Sequence, residues 1–217
     1  NPDKIFGMLL VVQYSFGSIG IYAVPRMVET FGNEAVFGAL IIFTIMAISI
    51  LPFVPNVAKS NNAVSSSSIF NISIGKFLFL ALVSLFLFQA ANMGIADYAF
   101  ELGKDIGLEN NKISNILTIA NIISICGGAL VYIIGTKYGR TLPLIIGIST
   151  SAIFTFLLHY SDNVPIYFIA NTFTGIAWGF TIPYLLGLCS TFDTHGQMAA
   201  LAGFISKMGL ATGPLIG

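Results

Sequence analysis

The chain has 217 residues, of which 56% are hydrophobic and 8% charged, with a formal net charge of zero and a mean hydropathy of +0.89. A soluble domain carries roughly a quarter charged residues, so a water-soluble fold is excluded, and the absence of a basic patch excludes a nucleic-acid partner. The charges gather in short clusters between uncharged runs, several of which exceed the roughly 20 residues a helix needs to cross a bilayer.

Seven spans follow in chain order. The first, about residues 5–25, carries Gln13 and Tyr14 near its centre and Pro25 near its end. The second covers about 35–54. Residues 56–75 are Ser/Asn-rich, the composition of a flexible linker, and divide two spans from five. The third span, about 76–97, offers Gln89 and Asn92, three apart and so on one helical face. The fourth, about 113–135, offers Asn121, and a basic turn Gly135-Thr-Lys-Tyr-Gly-Arg140 joins it to the fifth, about 141–158. The sixth, about 164–189, holds Asn171 and Trp178, the latter between Gly175 and Gly179. The seventh, about 197–217, holds Ser206, Lys207, Gly209, Gly213, Pro214 and Gly217. The runs are continuously apolar rather than alternating, so the expected fold is an all-α polytopic membrane helix bundle embedded in lipid, not a barrel.

Five cations, Lys4, Lys59, Lys76, Lys137 and Arg140, fall in one set of loops, and three, Arg26, Lys104 and Lys112, in the other. The first set is therefore expected in the cytoplasm, which suits a bacterial inner or other plasma membrane. On that side the acceptor-like Asn71-Ile-Ser73 is accidental. Cys126 and Cys189 lack paired spacing and read as small buried hydrophobes, while His159 and His195 stand alone. No metal, cofactor or catalytic residue set is expected.

The polar groups at membrane depth are the candidates for a solute pathway: Gln13, Tyr14, Gln89, Asn92, Asn121, Asn171, Trp178 and Lys207. A membrane Asn or Gln also bonds neighbouring helices, for under ~1 kcal/mol on average. Lys207 is the costliest, since a cation against lipid costs at least ~2.5–3.5 kcal/mol. It needs a cavity, an acidic partner or a depressed pKa, and no carboxylate lies at the middle of a span. Gly209, Gly213 and Gly217 share a helical face suited to close packing, about 120° from Lys207.

Displaced by 189 residues, the chain matches itself at Gly7 and Gly196, Gly20 and Gly209, and Pro25 and Pro214. The two copies lie six spans apart, the period of two parallel six-helix halves. At these residues the chain resembles the major facilitator superfamily. The turn with Gly135, Lys137, Gly139 and Arg140 is similar to the loop signature G-x-x-x-D-R-x-G-R-R, with Thr136 in place of the Asp and Tyr132 in place of the first Gly. Gly209-x-x-x-Gly213-Pro214-x-x-Gly217 resembles the signature G-x-x-x-G-P-x-x-G of the fifth helix of a half. Glu29–Phe37 resembles the turn joining a fifth and a sixth helix.

The resemblance implies helices five to eleven of twelve, in a chain expected to continue at both ends. Residues 1–55 would then end the N-terminal half, 56–75 form the cytoplasmic linker, and 76–217 begin the C-terminal half. It further implies alternating-access transport of a small molecule, expected to be anionic if Lys207 binds it, with coupling to a proton or cation. Two other functions fit parts of the pattern. One is a seven-helix retinal photoreceptor with Lys207 as the Schiff-base amine, and the other is a non-transporting membrane scaffold.

Overall fold

In the computed structural model, residues 2–53, 75–160, 162–192 and 197–216 are described. They form α1 (Pro2–Phe31), α2 (Glu34–Ile50) with a 3-10 turn at Leu51–Phe53, α3 (Lys76–Asp105), α4 (Asn110–Ile134), α5 (Thr141–Leu158), α6 (Val164–Ser190) and α7 (Gln197–Ile216). No strand occurs among the described residues. Helices α1 to α6, α2 counted with its 3-10 turn, are long and apolar enough to cross a membrane. The 20-residue α7 packs along α3.

Each expected span has its helix, with corrections to the ends, among them α1 running on to Phe31 rather than stopping near 25, so that Arg26 and Glu29 lie in the helix. Helix α1 starts at Pro2, so Asp3 and Lys4 belong to its first turn rather than to a loop. Helix α3 continues past residue 97 to Asp105 because Ala99, Glu101, Leu102 and Lys104 are good helix formers, and Lys104 pairs with Glu101 at 2.8 Å. Except for Gly75, the linker expected at 56–75 lies outside the described residues, as does Gly217.

Helix α6 sits at the centre, packed on α1, α3, α4, α5 and α7, whereas among the described residues α2 buries none of its side chains and packs mainly on α1. Small residues set the crossings. Gly127 of α4 lies against the carbonyl of Ile176 on α6, while the adjacent Gly128 faces α1. A Cβ at Gly128 would sit 2.8 Å from the Gly7 oxygen, and one at Gly7 would sit 2.9 Å from the Gly128 oxygen. Neighbours on a helix point about 100° apart, so two consecutive glycines let α4 meet two helices at backbone distance. Cys126 is then left facing outward: it is exposed, contrary to the expectation of burial, while Cys189 is fully buried. The glycine face of α7 docks on α3, where Cβ atoms at Gly209 and Gly213 would stand 2.6 and 2.5 Å from the carbonyls of Phe86 and Ala90.

Pro25 lies inside α1 without ending it. Its missing N–H frees the carbonyl of Ile21, and Ser114 Oγ on α4 donates to that oxygen at 2.6 Å. Asn163 caps α6 by accepting from Ile166 N at 3.1 Å. Between α4 and α5, Gly135 and Gly139 hold φ of +53° and +71°, a backbone conformation that favours glycine. The signature glycine at Gly139 is thus a requirement of the turn, and Gly135, at a variable position of the signature, meets the same requirement.

Gly128→Ala inserts one methyl group against fixed backbone and is expected to destabilise the protein by about 1–3 kcal/mol. Gly20, whose added Cβ would meet nothing within 4 Å, is the control. Thermal melting of the purified intact protein should show a lowered midpoint for Gly128→Ala and little change for Gly20→Ala.

Candidate functional site

Near the middle of the bundle, α1, α3, α4, α6 and α7 enclose a cavity of about 470 Å³, within the range of roughly 300–1,000 Å³ common for small-molecule sites. Helical periodicity builds its walls. Helix α1 contributes Gln13, Tyr14, Gly17 and Ile21, α4 contributes Leu117, Ala120, Asn121 and Ser124, and α6 contributes Asn171, Thr174, Gly175 and Trp178. The α4 and α6 sets follow the i, i+3, i+4, i+7 spacing of one helical face, and Tyr14, Gly17 and Ile21 of α1 step by three and four. Asn92, Ala96 and Ala99 of α3 and Leu210 of α7 are also among the residues that line it.

Six of the eight pathway candidates thus meet in one place: Gln13, Tyr14, Asn92, Asn121, Asn171 and Trp178. Gln89 and Lys207 do not line it. Gln89 lies just behind, 2% exposed, bonded to Trp178 and Ser206. Lys207 is exposed on the strip of α7 beside Leu210, about 60° round the helix. Ser124 and Thr174 escaped the reading of the sequence. Each follows a candidate Asn by three residues, and that spacing was the signal available.

Among the described residues, the lining has no Asp, Glu, Lys, Arg or His. Its hydrogen-bonding groups are amides and hydroxyls, some committed to the scaffold and some left open. Asn121 Nδ2 donates to Tyr14 O at 3.0 Å and to Ser18 Oγ at 2.8 Å. Asn92 accepts from Ser151 Oγ at 3.0 Å and donates to Phe88 O at 2.8 Å. Asn171 Nδ2 donates back to Tyr167 O at 2.8 Å. The buried Thr174 hydroxyl has no partner among the described residues. Tyr14 OH donates to Gly175 O at 2.5 Å, and its ring meets Trp178 edge-on, with centroids 5.5 Å apart and planes at 86°. Gly179 makes room for that ring, since a Cβ there would lie 2.9 Å from Tyr14 Cε2.

The two ends of the α1–α4 contact are polar. At one, Arg140 Nε and Nη2 each donate to a carboxylate oxygen of the fully buried Asp3 at 2.9 Å. This hydrogen bonding holds the guanidinium above its ordinary pKa, against the opposing effect of its partial burial. The Asp3 carboxylate rests in the space left by Gly187 of α6, and Tyr184 OH donates to Gly135 O at 2.8 Å. Although Thr136 stands where the signature has Asp, Arg140 therefore has a bidentate acidic partner on α1. At the other end, Arg26 donates to Asn115 Oδ1 at 2.7 Å, and Asn111 donates to the Glu29 carboxylate at 2.9 Å.

Residues 57–215 match one protein-family model, described as sugar (and other) transporter; the cavity they share with α1 is mainly apolar, with four amide side chains in its wall. The chain belongs to the sugar (and other) transporter family. It is therefore a major facilitator superfamily protein, an integral multi-pass membrane protein of a transporter family. No curated protein and no solved structure matches it. The family match runs from α3 through α7, the helices that supply Asn92, Asn121, Asn171 and Trp178.

In this sugar (and other) transporter family member, a thiol at the cavity wall should meet water and one in the packed core should not. With Cys126 replaced by Ser, Asn171→Cys is expected to react with a small hydrophilic thiol reagent. Thr181→Cys, at a position that is fully buried, is expected to react at least about tenfold more slowly. Comparable labelling rates would contradict the cavity.

Proposed function

We propose that the protein moves a small neutral polyhydroxylated solute, of the sugar class, through the cavity between α1, α3, α4 and α6. The observation that carries this reading is the chemistry of the lining. A sugar ring offers hydroxyls that both donate and accept, and C–H faces that are apolar. Amides match the first, because each carries donors and an acceptor. The Trp178 and Tyr14 rings match the second. The family's description agrees with that chemistry. An anionic solute is less well served, because Lys207 is outside the lining and no other cation is in it. Solute binding at this lining calls for no titrating group, so a coupled proton or cation is not needed to explain it.

We further read the seven helices as the fifth to eleventh of twelve, on the six-helix period of the Gly-Pro repeat. Helix α1 and helices α4 and α6 then belong to opposite halves, and the cavity lies between them. Alternating access would open the α1–α4 contact at one end at a time. The Asp3–Arg140 pair holds the end assigned to the cytoplasm, and Arg26 with Glu29 holds the other. A cytoplasmic placement of the first end follows from the distribution of Lys and Arg.

Trp178→Ala removes the apolar platform and leaves the amides. In the intact protein reconstituted into liposomes, D-glucose counterflow should show a KM raised at least about tenfold, the equivalent of ~1.4 kcal/mol. Asn121→Ala should act in the same direction. Unaltered kinetics in both variants would sink the cavity as the solute site.

A further inference from the structure

Gln89 stands behind the cavity wall rather than in it, and both ends of its amide are occupied by different helices. On α3 it is 2% exposed. Its Nε2 donates to Ser206 Oγ of α7 at 2.6 Å, and its Oε1 accepts from Trp178 Nε1 of α6 at 2.7 Å. An indole has one polar atom, a donor, so Gln89 takes the whole hydrogen-bonding capacity of Trp178. The ring keeps one other oriented contact, the edge-to-face meeting with Tyr14. The indole's position in the wall is thus fixed by Tyr14 from inside the cavity and by Gln89 from outside it.

The other half of the amide reaches α7 at a particular place. Ser206 precedes Gly209 by three residues and lies on the same side of the helix, and Gly209 packs against Phe86 and Gln89 itself. A shift of α7 along its glycine contact with α3 therefore acts first on the Ser206–Gln89 bond. Leaving either end of a buried amide unpaired costs more than the bond itself is worth, so the two bonds act as a unit.

We propose that Gln89 is a positioning residue for solute binding: it sets the indole of Trp178 against the cavity and ties that setting to α7 through Ser206. The inference rests on the reading of the cavity as the solute site. It assigns Gln89 no contact with the solute.

The test uses the intact protein with 15N-labelled indole, the Trp178 resonance being identified by its loss in Trp178→Phe. Before any solute is added, Gln89→Leu should move that resonance in the direction of a lost hydrogen bond. In liposomes it should raise the KM for D-glucose counterflow roughly five- to tenfold, the scale of one neutral hydrogen bond, and leave the maximal rate within about twofold, as for a loss of uniform binding. In a Trp178→Phe background, Gln89→Leu should add no further rise in KM. Ser206→Ala, a small change, should move the resonance less and in the same direction, and it decides the matter if Gln89→Leu fails to insert. An unmoved resonance overturns the proposal, as do KM effects of Gln89→Leu and Trp178→Phe that multiply. If the wild type shows no D-glucose counterflow, the sugar reading falls, and the solute-free resonance still decides whether Gln89 sets the ring.

Discussion

Gly127 and Gly128 stand side by side on α4, and each admits the backbone of a different helix, α6 at Ile176 and α1 at Gly7. Without a hydrophobic force between helices in lipid, packing at this distance is what holds a bundle together. The same contact decides where the cavity lies. Bringing α1, α4 and α6 together at small residues leaves larger polar ones facing a common space: Tyr14 and Asn121, about two turns from Gly7 and Gly128, and Asn171. Gly175 and Gly179 complete the arrangement by seating the Ser124 and Tyr14 side chains against α6. A side chain at any of these crossings would push the helices apart and open the lining to lipid.

Charge follows the opposite rule and is kept to the helix ends. Asp3 is fully buried, and a lone carboxylate there would carry a large desolvation cost. The fork of Arg140 offsets it by meeting both oxygens, a geometry that Lys could not reproduce. Arg140 is positioned for this by the Gly135 and Gly139 turn, and Tyr184 pins the carbonyl of Gly135. The pair thus fixes α1 to the start of α5 at one end of the molecule. The Arg26 and Glu29 contacts with Asn115 and Asn111 fix α1 to α4 at the other.

The helices were legible in the sequence because lipid demands unbroken apolar runs, and the glycine face of α7 was legible because its period is that of the helix. Individual polar residues at membrane depth also stood out, and six of them line one cavity. What the sequence concealed is pairing across long separations. Asp3 and Arg140 are 137 residues apart and Gln89 and Ser206 are 117 apart, so nothing in the sequence joined Asp3 to Arg140, and Gln89 read as one more pathway residue. The energetic cost of Lys207 said that it needed company without saying which side of α7 faces the cavity. Leu210 takes that side, and Lys207 stands on the next strip. Cys126 misled in a simpler way, since an apolar setting in sequence means lipid as readily as core.

The account turns on an uncharged cavity selecting an uncharged solute. Equilibrium binding of D-glucose, D-glucuronate and D-glucosamine, all pyranose rings, to the intact protein tests it most directly. The three share most of their hydroxyls and differ in charge. A lining of amides, hydroxyls and aromatic rings should bind D-glucose at least about tenfold more tightly than either charged analogue, because a buried charge without a partner is costly. Binding of D-glucuronate as tight as that of D-glucose, or tighter, would contradict the account and return Lys207 to the centre of the site.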